Sequence, residues 1–153
     1  MVSRPGSRAA GPAAAVILAS PGAPFAPEVV RAAADAANGG RVAVVSIARL
    51  YGFALGLPNP GLLPTASERE AQTLVVSQAA RQLDGWGLPN DAEVVITRNP
   101  SSSIFRIARG REAKVVTIQT NRRGRLRTLV EGDPARRLRR RLRRQCDVQI
   151  WYV

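Results

Sequence analysis

The sequence predicts one α/β domain built on a five-stranded, mostly parallel sheet with helices on both faces. Two observations carry this prediction. Short apolar runs of strand length alternate with segments of helical periodicity along the chain. The runs are apolar throughout instead of alternating with polar residues, which is typical of strands buried on both faces. Helices between successive strands supply the crossovers that parallel strands require, so the element order βαβαβαβαβ favours a doubly wound sheet.

The amino-terminal half of the chain supplies two strands and one helix. Residues 13–20, "AAAVILAS", form the first predicted strand. Residues 26–37 are alanine-rich with helical spacing, and an Asn-Gly-Gly sequence ends that helix. Residues 41–48 form the second strand. Residues 49–66 are rich in glycine and proline yet apolar, which predicts a long connection that packs against the rest of the protein.

The second half continues the same alternation. A Ser67-x-x-Glu70 capping box opens the second helix, and Gly85 closes it. Asn99 and Asp133, each followed by proline, are predicted caps of a third and a fourth helix. The three remaining predicted strands span residues 92–98, 113–119 and 147–153.

The ends and the composition of the chain define its class. Residues 1–12 are predicted to be a flexible tail, and residues 13–153 a single domain. The longest apolar run is much shorter than the roughly 20 residues needed to cross a bilayer, so no membrane span is predicted. Cys146 is the only cysteine, which excludes an intrachain disulfide and is consistent with a reducing cytoplasm.

The composition argues against catalysis. The chain has no histidine, the commonest general base and metal ligand, and no cluster of carboxylates is apparent. The serines at 101–103 are interpreted as helix-start residues. Cys146 follows Arg143 and Arg144, which would lower the pKa of a thiol, but its position at a strand start favours a small buried residue. We therefore predict no catalytic residue, no metal site and no cofactor.

Positive charge is concentrated near the carboxyl end. The net charge is +12, and residues 122–144 contain eleven arginines against Glu131 and Asp133. If residues 134–145 form a helix, its two leucines and one alanine fall within about 60° of one another, and arginines occupy the remaining circumference. The predicted helix therefore packs one apolar edge against the sheet and directs its arginines to solvent.

This arginine surface is predicted to bind a polyanion. The candidate residues are Arg122, Arg123, Arg125, Arg127, Arg136, Arg137, Arg140, Arg141, Arg143 and Arg144. No aromatic residue is interleaved with them, so nucleic acid such as RNA would be contacted through its phosphates and not read by base stacking. The alternatives are an acidic protein, a membrane surface, or a basic face that only meets solvent.

The last third of the chain resembles the universal stress protein family. Residues 111–153, "REAKVVTIQTNRRGRLRTLVEGDPARRLRRRLRRQCDVQIWYV", follow the family order of strand, loop, Leu-x-x-Leu stretch, helix and closing strand. Leu126, Leu129, Gly132 and Cys146 fall at matching spacing. The resemblance covers residues 13–153 and implies the same five-stranded fold and a non-catalytic role in the stress response.

The resemblance also locates a degenerate nucleotide site. Nucleotide-binding members carry Gly-x2-Gly-x9-Gly-Ser/Thr, and the matching positions here are Gln119, Arg122, Gly132 and Asp133. Ser20 stands where those members tend to have an aspartate at the end of the first strand. Side chains in place of the glycines obstruct the close approach of phosphate to backbone amides. The resemblance thus implies loss of the usual ATP site, and an ATP-binding universal stress protein is the second alternative.

The family resemblance implies a homodimer through the closing strand. The predicted edge residues are Val148, Ile150, Trp151 and Tyr152. An apolar edge strand left bare invites association with another strand. The alternative is that the apolar connection at 49–66 covers this edge.

Overall fold

The computed structural model of the protein describes residues 11–49, 65–120 and 134–153. Within these ranges five strands form one sheet in the order β3-β2-β1-β4-β5, and every neighbouring pair is parallel. The strands are β1 (Val16–Ser20), β2 (Val42–Arg49), β3 (Asn90–Thr97), β4 (Val115–Thr120) and β5 (Asp147–Tyr152). The helices are α1 (Pro27–Ala37), α2 (Ala66–Gly85), α3 (Pro100–Gly110) and α4 (Pro134–Leu142).

The predicted fold class and the predicted order of elements are confirmed. Part of the predicted polyanion surface and of the degenerate nucleotide site lies outside the described residues. Those residues are Arg122, Arg123, Arg125, Arg127, Gly132 and Asp133. The described helices include none that is both long and apolar enough to cross a membrane.

The second helix begins earlier than predicted. Its N-cap is Thr65, whose Oγ1 accepts from the Glu68 amide at 3.3 Å while Glu68 Oε2 accepts from the Thr65 amide at 2.7 Å. The prediction of a box at Ser67 and Glu70 was therefore wrong. The segment contains two overlapping Ser/Thr-x-x-Glu patterns, and the earlier one gives a helix longer by two residues.

Two apolar clusters hold helices to the two faces of the sheet. On one face α1 and α2 pack on residues such as Leu18 and Val44. On the other face α3 and α4 pack on residues such as Ile17, Val45 and Val116. Successive residues of a strand point to opposite faces of the sheet, and here both faces are covered by helices. The strands are therefore apolar at every position and do not alternate with polar residues.

A buried cation joins the amino end of β3 to the end of α3. Arg111 follows α3 and is only 5% exposed. Its Nη1 lies 2.5 Å from Asp91 Oδ2, and its Nη2 lies 3.4 Å from Glu93 Oε1. Gly11 packs so closely on the guanidinium that a Cβ there would collide with it. β3 starts at Asn90 rather than at the predicted residue 92, since Asn90 and Asp91 pair with Val42 and Ala43 of β2.

Candidate functional site

The crevice expected in this topology lies at the carboxyl ends of β1 and β4. These two strands are neighbours at the middle of the sheet, and the chain leaves them toward opposite edges. Parallel sheets bind ligands at such a reversal of strand order. Ser20 ends β1 and Gln119 lies near the end of β4, so these two of the five predicted positions of the degenerate nucleotide site lie at the crevice.

Gln119 fills part of this crevice. Its side chain is 4% exposed. Gln119 Nε2 donates to the Pro24 carbonyl at 2.7 Å, and Gln119 Oε1 accepts from the Ala26 amide at 2.7 Å. Ala26 is the N-cap of α1, and the next residue, Pro27, has no amide hydrogen. An anion at the start of α1 therefore cannot bind the backbone of either residue, because the Ala26 amide is already bonded and Pro27 has no N–H to donate.

A second glutamine holds the loop after β1 from the side of β2 and α2. Ser46 Oγ donates to Gln72 Oε1, and Gln72 Nε2 donates to the Gly22 carbonyl at 3.2 Å. Gly22 has φ +85°, and a Cβ there would lie 2.8 Å from Gln72 Nε2, so the turn requires glycine. Ser20 Oγ adds a bond to the Ala23 carbonyl at 2.7 Å. We call Gln72 and Gln119 the two-glutamine bridge.

The bridge ties the loop after β1 to two other elements of the fold. Gln119 connects the loop to β4, and Gln72 connects it to α2. The sequence resemblance identified Gln119 but not Gln72. The spacing of Gln72 could have indicated that it faces the core. It lies four residues before the buried Val76 and seven before the buried Ala79, on the apolar side of α2.

Substitution of Gln119 by leucine is expected to weaken the fold without changing its topology. The Ala26 amide and the Pro24 carbonyl would lose their partners. Because Ala26 is half-buried and Pro24 is exposed, water can replace Gln119 in part, and we expect a cost of about 0.5–1.5 kcal/mol for each lost hydrogen bond. Urea unfolding monitored by tryptophan fluorescence measures the change. Gln78→Leu on the exposed side of α2 is the matched control and should have little effect. Equal stability of the two variants would show that the bridge contributes nothing.

The fourth helix is fixed to the fold by its leucines, as predicted. Leu138 and Leu142 are 1% and 0% exposed and belong to the core cluster on this face of the sheet. The helix ends at Leu142, three residues before the predicted end, where the Leu142 carbonyl accepts from the amides of Gln145 and Cys146. The predicted apolar stripe is thus confirmed for Leu138 and Leu142.

Arg139 and Arg141 of α4 bond to neighbouring elements of the fold. Arg139 donates from Nε and Nη2 to the Val148 carbonyl of β5, at 3.3 and 2.9 Å. Arg141 donates from Nη1 to Ser102 Oγ at 3.1 Å, and its guanidinium lies 4.6 Å from the centroid of Phe105. One side of α4 is therefore directed to the sheet edge, and the other to α3.

The remaining predicted polyanion-binding residues of this region are exposed. Arg136, Arg137, Arg140, Arg143 and Arg144 all present their side chains to solvent. Of these, Arg140, Arg143 and Arg144 form no ion pair with any carboxylate in the part of the chain that the structure describes. The charge of these three residues is available to an external anion.

The environment of Cys146 agrees with its interpretation as a partly buried strand-start residue. Burial raises the pKa of the Cys146 thiol and the neighbouring Asp147 carboxylate raises it further, so the alternative of a pKa lowered by Arg143 and Arg144 is not supported. Both arginines are directed to solvent, so their charge is screened by water. The thiol borders a cavity of about 300 Å³ that Arg109 and Gln145 also line. Within the described ranges no three His, Cys, Asp or Glu side chains converge to hold a metal ion.

Alkylation of Cys146 should therefore be slow at neutral pH. Because the thiolate is the reactive form, the rate with iodoacetamide should rise only at a higher pH than for an exposed thiol. Asp147→Asn should move the midpoint of this profile to lower pH while leaving it above the ordinary value, since burial is the larger cause. A midpoint below that of a free cysteine peptide would contradict the assignment.

Comparison with solved structures supports this architecture. A universal stress protein family member from Burkholderia pseudomallei matches with a TM-score of 0.62 and 20% identity, over 95% of this chain and 98% of that one. A universal stress protein from Archaeoglobus fulgidus matches with a TM-score of 0.63 and 17% identity, over 90% and 93%. A structure from the same organism in complex with dAMP matches with a TM-score of 0.60 and 18% identity, over 88% and 94%.

The sequence comparisons add no relative. A scan against protein-family models and a search of curated proteins found no match. The TM-scores establish a shared fold, and with identities of 20% or less the sequence resemblance to universal stress proteins is confirmed at the level of the fold. The chain has the universal stress protein fold.

Proposed function

We propose that the chain is a non-catalytic, divergent member of the universal stress protein family that acts by binding in the cytoplasm. The absence of histidine and the presence of a single cysteine support a role without catalysis in a reducing compartment. The partner we propose is a polyanion, bound by the arginines of α4. A nucleotide bound in the family manner is the alternative that the crevice argues against.

The two-glutamine bridge is the reason to exclude a nucleotide from the crevice. One solved relative is described in complex with dAMP, so a nucleotide binds to that protein. In this chain the Ala26 amide is bonded to Gln119, and the Gly22 carbonyl to Gln72. A phosphate at this position would have to displace Gln119 Oε1 from the Ala26 amide, and the Gly22 carbonyl, itself an acceptor, would offer it no hydrogen bond.

Equilibrium dialysis with ATP and with dAMP tests this exclusion. We expect no saturable binding up to about 1 mM nucleotide, a concentration that corresponds to roughly 4 kcal/mol of affinity. The archaeal universal stress protein crystallised with dAMP is the positive control. Saturable binding that is lost on Gln119→Trp would restore the nucleotide alternative.

The polyanion proposal rests on one observation, the orientation of α4. The burial of Leu138 and Leu142 forces the arginines of this helix outward. Like charges at i,i+4 on a helix, such as Arg136 with Arg140, repel by about 0.2–0.5 kcal/mol per pair. A polyanion laid on this surface relieves that repulsion and adds charge-assisted hydrogen bonds.

Retention on immobilised heparin, a generic polyanion, tests the proposal. The double variant Arg140→Gln, Arg144→Gln should elute at clearly lower salt than the wild type. The control, Arg69→Gln, Arg81→Gln, removes the same charge from exposed positions of α2 on the opposite face of the sheet. If both pairs shift elution equally, net charge alone causes retention and the α4 site is rejected.

We also propose a homodimer through β5. The strand lies at the edge of the sheet. The amides of Asp147 and Val153 donate to β4, so the alternate residues Val148, Ile150 and Tyr152 direct their backbone groups away from the sheet. A second copy paired here would double the arginine surface.

The predicted edge residues differ in their exposure. Val148 is buried and its carbonyl is covered by Arg139, and Ile150 is half-buried. Trp151 and Tyr152 are 36% and 43% exposed, which supports an interface centred on the carboxyl half of the strand. Sedimentation equilibrium should give a dimer for the wild type and a monomer for Trp151→Glu. A monomeric wild type at micromolar concentration would exclude the proposed dimer.

A further inference from the structure

We infer that α3 and α4 together form a contact surface for the phosphate backbone of a nucleic-acid duplex. This inference rests on the proposed polyanion function and adds a second helix and a class of partner. The α3–α4 basic face is defined by Arg106, Arg109, Arg140, Arg141 and Arg144. The first two residues were not among the sequence-predicted candidates.

The arginines of α3 project on the side of that helix that meets α4. Ser102 and Phe105 contact Arg141 of α4 and so mark this side. At 100° per residue, Arg109 lies within about 40° of both, and Arg106 within about 40° of Ser102. Both arginines are exposed.

The arginines of α4 complete the face from the other side. Arg140 lies about 180° from the middle of the buried leucine stripe and is therefore at the crest of the helix. Arg144 lies in the turn after α4, next to Gln145, which lines the same cavity as Arg109. Arg141 joins the two groups because it holds α3 and α4 together. Exposed arginines of both helices thus lie on the solvent side of the packed α3–α4 pair.

The chemistry of this face favours nucleic acid over a membrane or a protein. A helix that lies in a membrane interface must insert an apolar side, but Leu138 and Leu142 are committed to the core. Protein interfaces are centred on apolar or aromatic anchors, and the aromatic residue here, Phe105, lies beneath Arg141. A surface of planar guanidinium groups without apolar anchors is suited to bind phosphate groups through paired hydrogen bonds.

The same face favours a duplex over a single strand. Single-stranded nucleic acids are bound by stacking bases on exposed aromatic side chains. The exposed aromatic residues of the described chain, Trp86, Trp151 and Tyr152, lie outside α3 and α4. Contacts limited to phosphates carry no base specificity, so binding should be independent of sequence.

The test measures the affinity of the full chain for a 20-base-pair RNA duplex and a DNA duplex of the same sequence across a salt series. Single-stranded RNA and phosphatidylserine vesicles serve as competing probes. Three double variants are compared: Arg106→Gln, Arg109→Gln on α3; Arg140→Gln, Arg144→Gln on α4; and the control Arg69→Gln, Arg81→Gln on α2. Thermal unfolding confirms that each variant is folded.

We expect duplex binding to weaken when the arginines of either α3 or α4 are replaced. Each pair on α3 or α4 should weaken duplex binding roughly tenfold at low salt and reduce the slope of log K against log salt by about 2, which is one unit per lost phosphate contact. The control pair should leave the slope nearly unchanged. The RNA and DNA duplexes should bind within about threefold of each other, since phosphates are shared.

Other outcomes separate this inference from the function it rests on. No duplex binding, tighter binding of single-stranded RNA or of vesicles, or an unchanged slope for the α3 pair overturns the α3–α4 basic face as a duplex site. If heparin retention still depends on Arg140 and Arg144 in those cases, the polyanion function stands. If heparin retention does not depend on them, both proposals fail.

Discussion

Replacing Arg111 with methionine is expected to destabilise the domain by about 3–5 kcal/mol, the cost of breaking a buried ion pair by removing one partner. The guanidinium lies within ion-pairing distance of Asp91 and Glu93, and its side chain is almost completely removed from water. Without it, Asp91 would keep only the longer pairing with Arg41, whose Nη1 lies 3.9 Å from Asp91 Oδ1, and the two partly buried carboxylates would repel each other. Urea unfolding at neutral pH measures the loss.

Two controls isolate the electrostatic part of this effect. Arg109→Met removes an exposed arginine from the end of the same helix and should change stability by less than about 0.5 kcal/mol. Adding Asp91→Asn and Glu93→Gln to Arg111→Met should recover part of the lost stability, because the unpaired charges are then gone. If the triple variant is no more stable than Arg111→Met, packing and not charge accounts for the loss.

Replacing Leu142 with alanine is expected to cost about 2–5 kcal/mol, as for other fully buried leucines. The side chain belongs to the core cluster beneath α3 and α4, and its removal leaves a cavity where α4 meets the sheet. The carbonyl of the same residue ends the helix through two hydrogen bonds, which the substitution retains. Chemical denaturation with a two-state analysis measures the difference.

The control for this variant is on the opposite side of the same helix. Arg140→Ala removes an exposed side chain and some charge repulsion, so its stability should stay within about 0.5 kcal/mol of the wild type. A small effect of Leu142→Ala would mean that α4 is only loosely attached. Such a result would remove the structural reason for the outward direction of the arginines.

Much of the fold is predictable because burial is visible in the sequence. The apolar strands β1 and β2 are covered on both faces, and their composition reflects this directly. The stripe of Leu138 and Leu142 could be placed by helical geometry alone. The cap at Asn99 could also be predicted, because it depends only on neighbouring residues: the Asn99 side chain accepts from the Ser102 amide at 3.1 Å.

The features that were missed depend on contacts between distant residues. Gln119 and Ala26 are separated by 93 positions, and Arg111 and Asp91 by 20 positions. A glutamine or an arginine in the sequence does not show which partner burial will give it. The N-cap of α2 at Thr65 was missed for a local reason. Two equivalent capping patterns overlap there, and the sequence does not show which of them forms.

The two-glutamine bridge has a consequence for how such a domain responds to the cell. A protein that binds a nucleotide is stabilised in proportion to the logarithm of its ligand concentration. Here Gln72 and Gln119 bond the loop after β1 from within the chain, and these hydrogen bonds need no external ligand. If, as we propose, no nucleotide binds in the crevice, the melting temperature of this domain should not change with the concentration of adenine nucleotides, and energy depletion would leave its folded fraction unchanged.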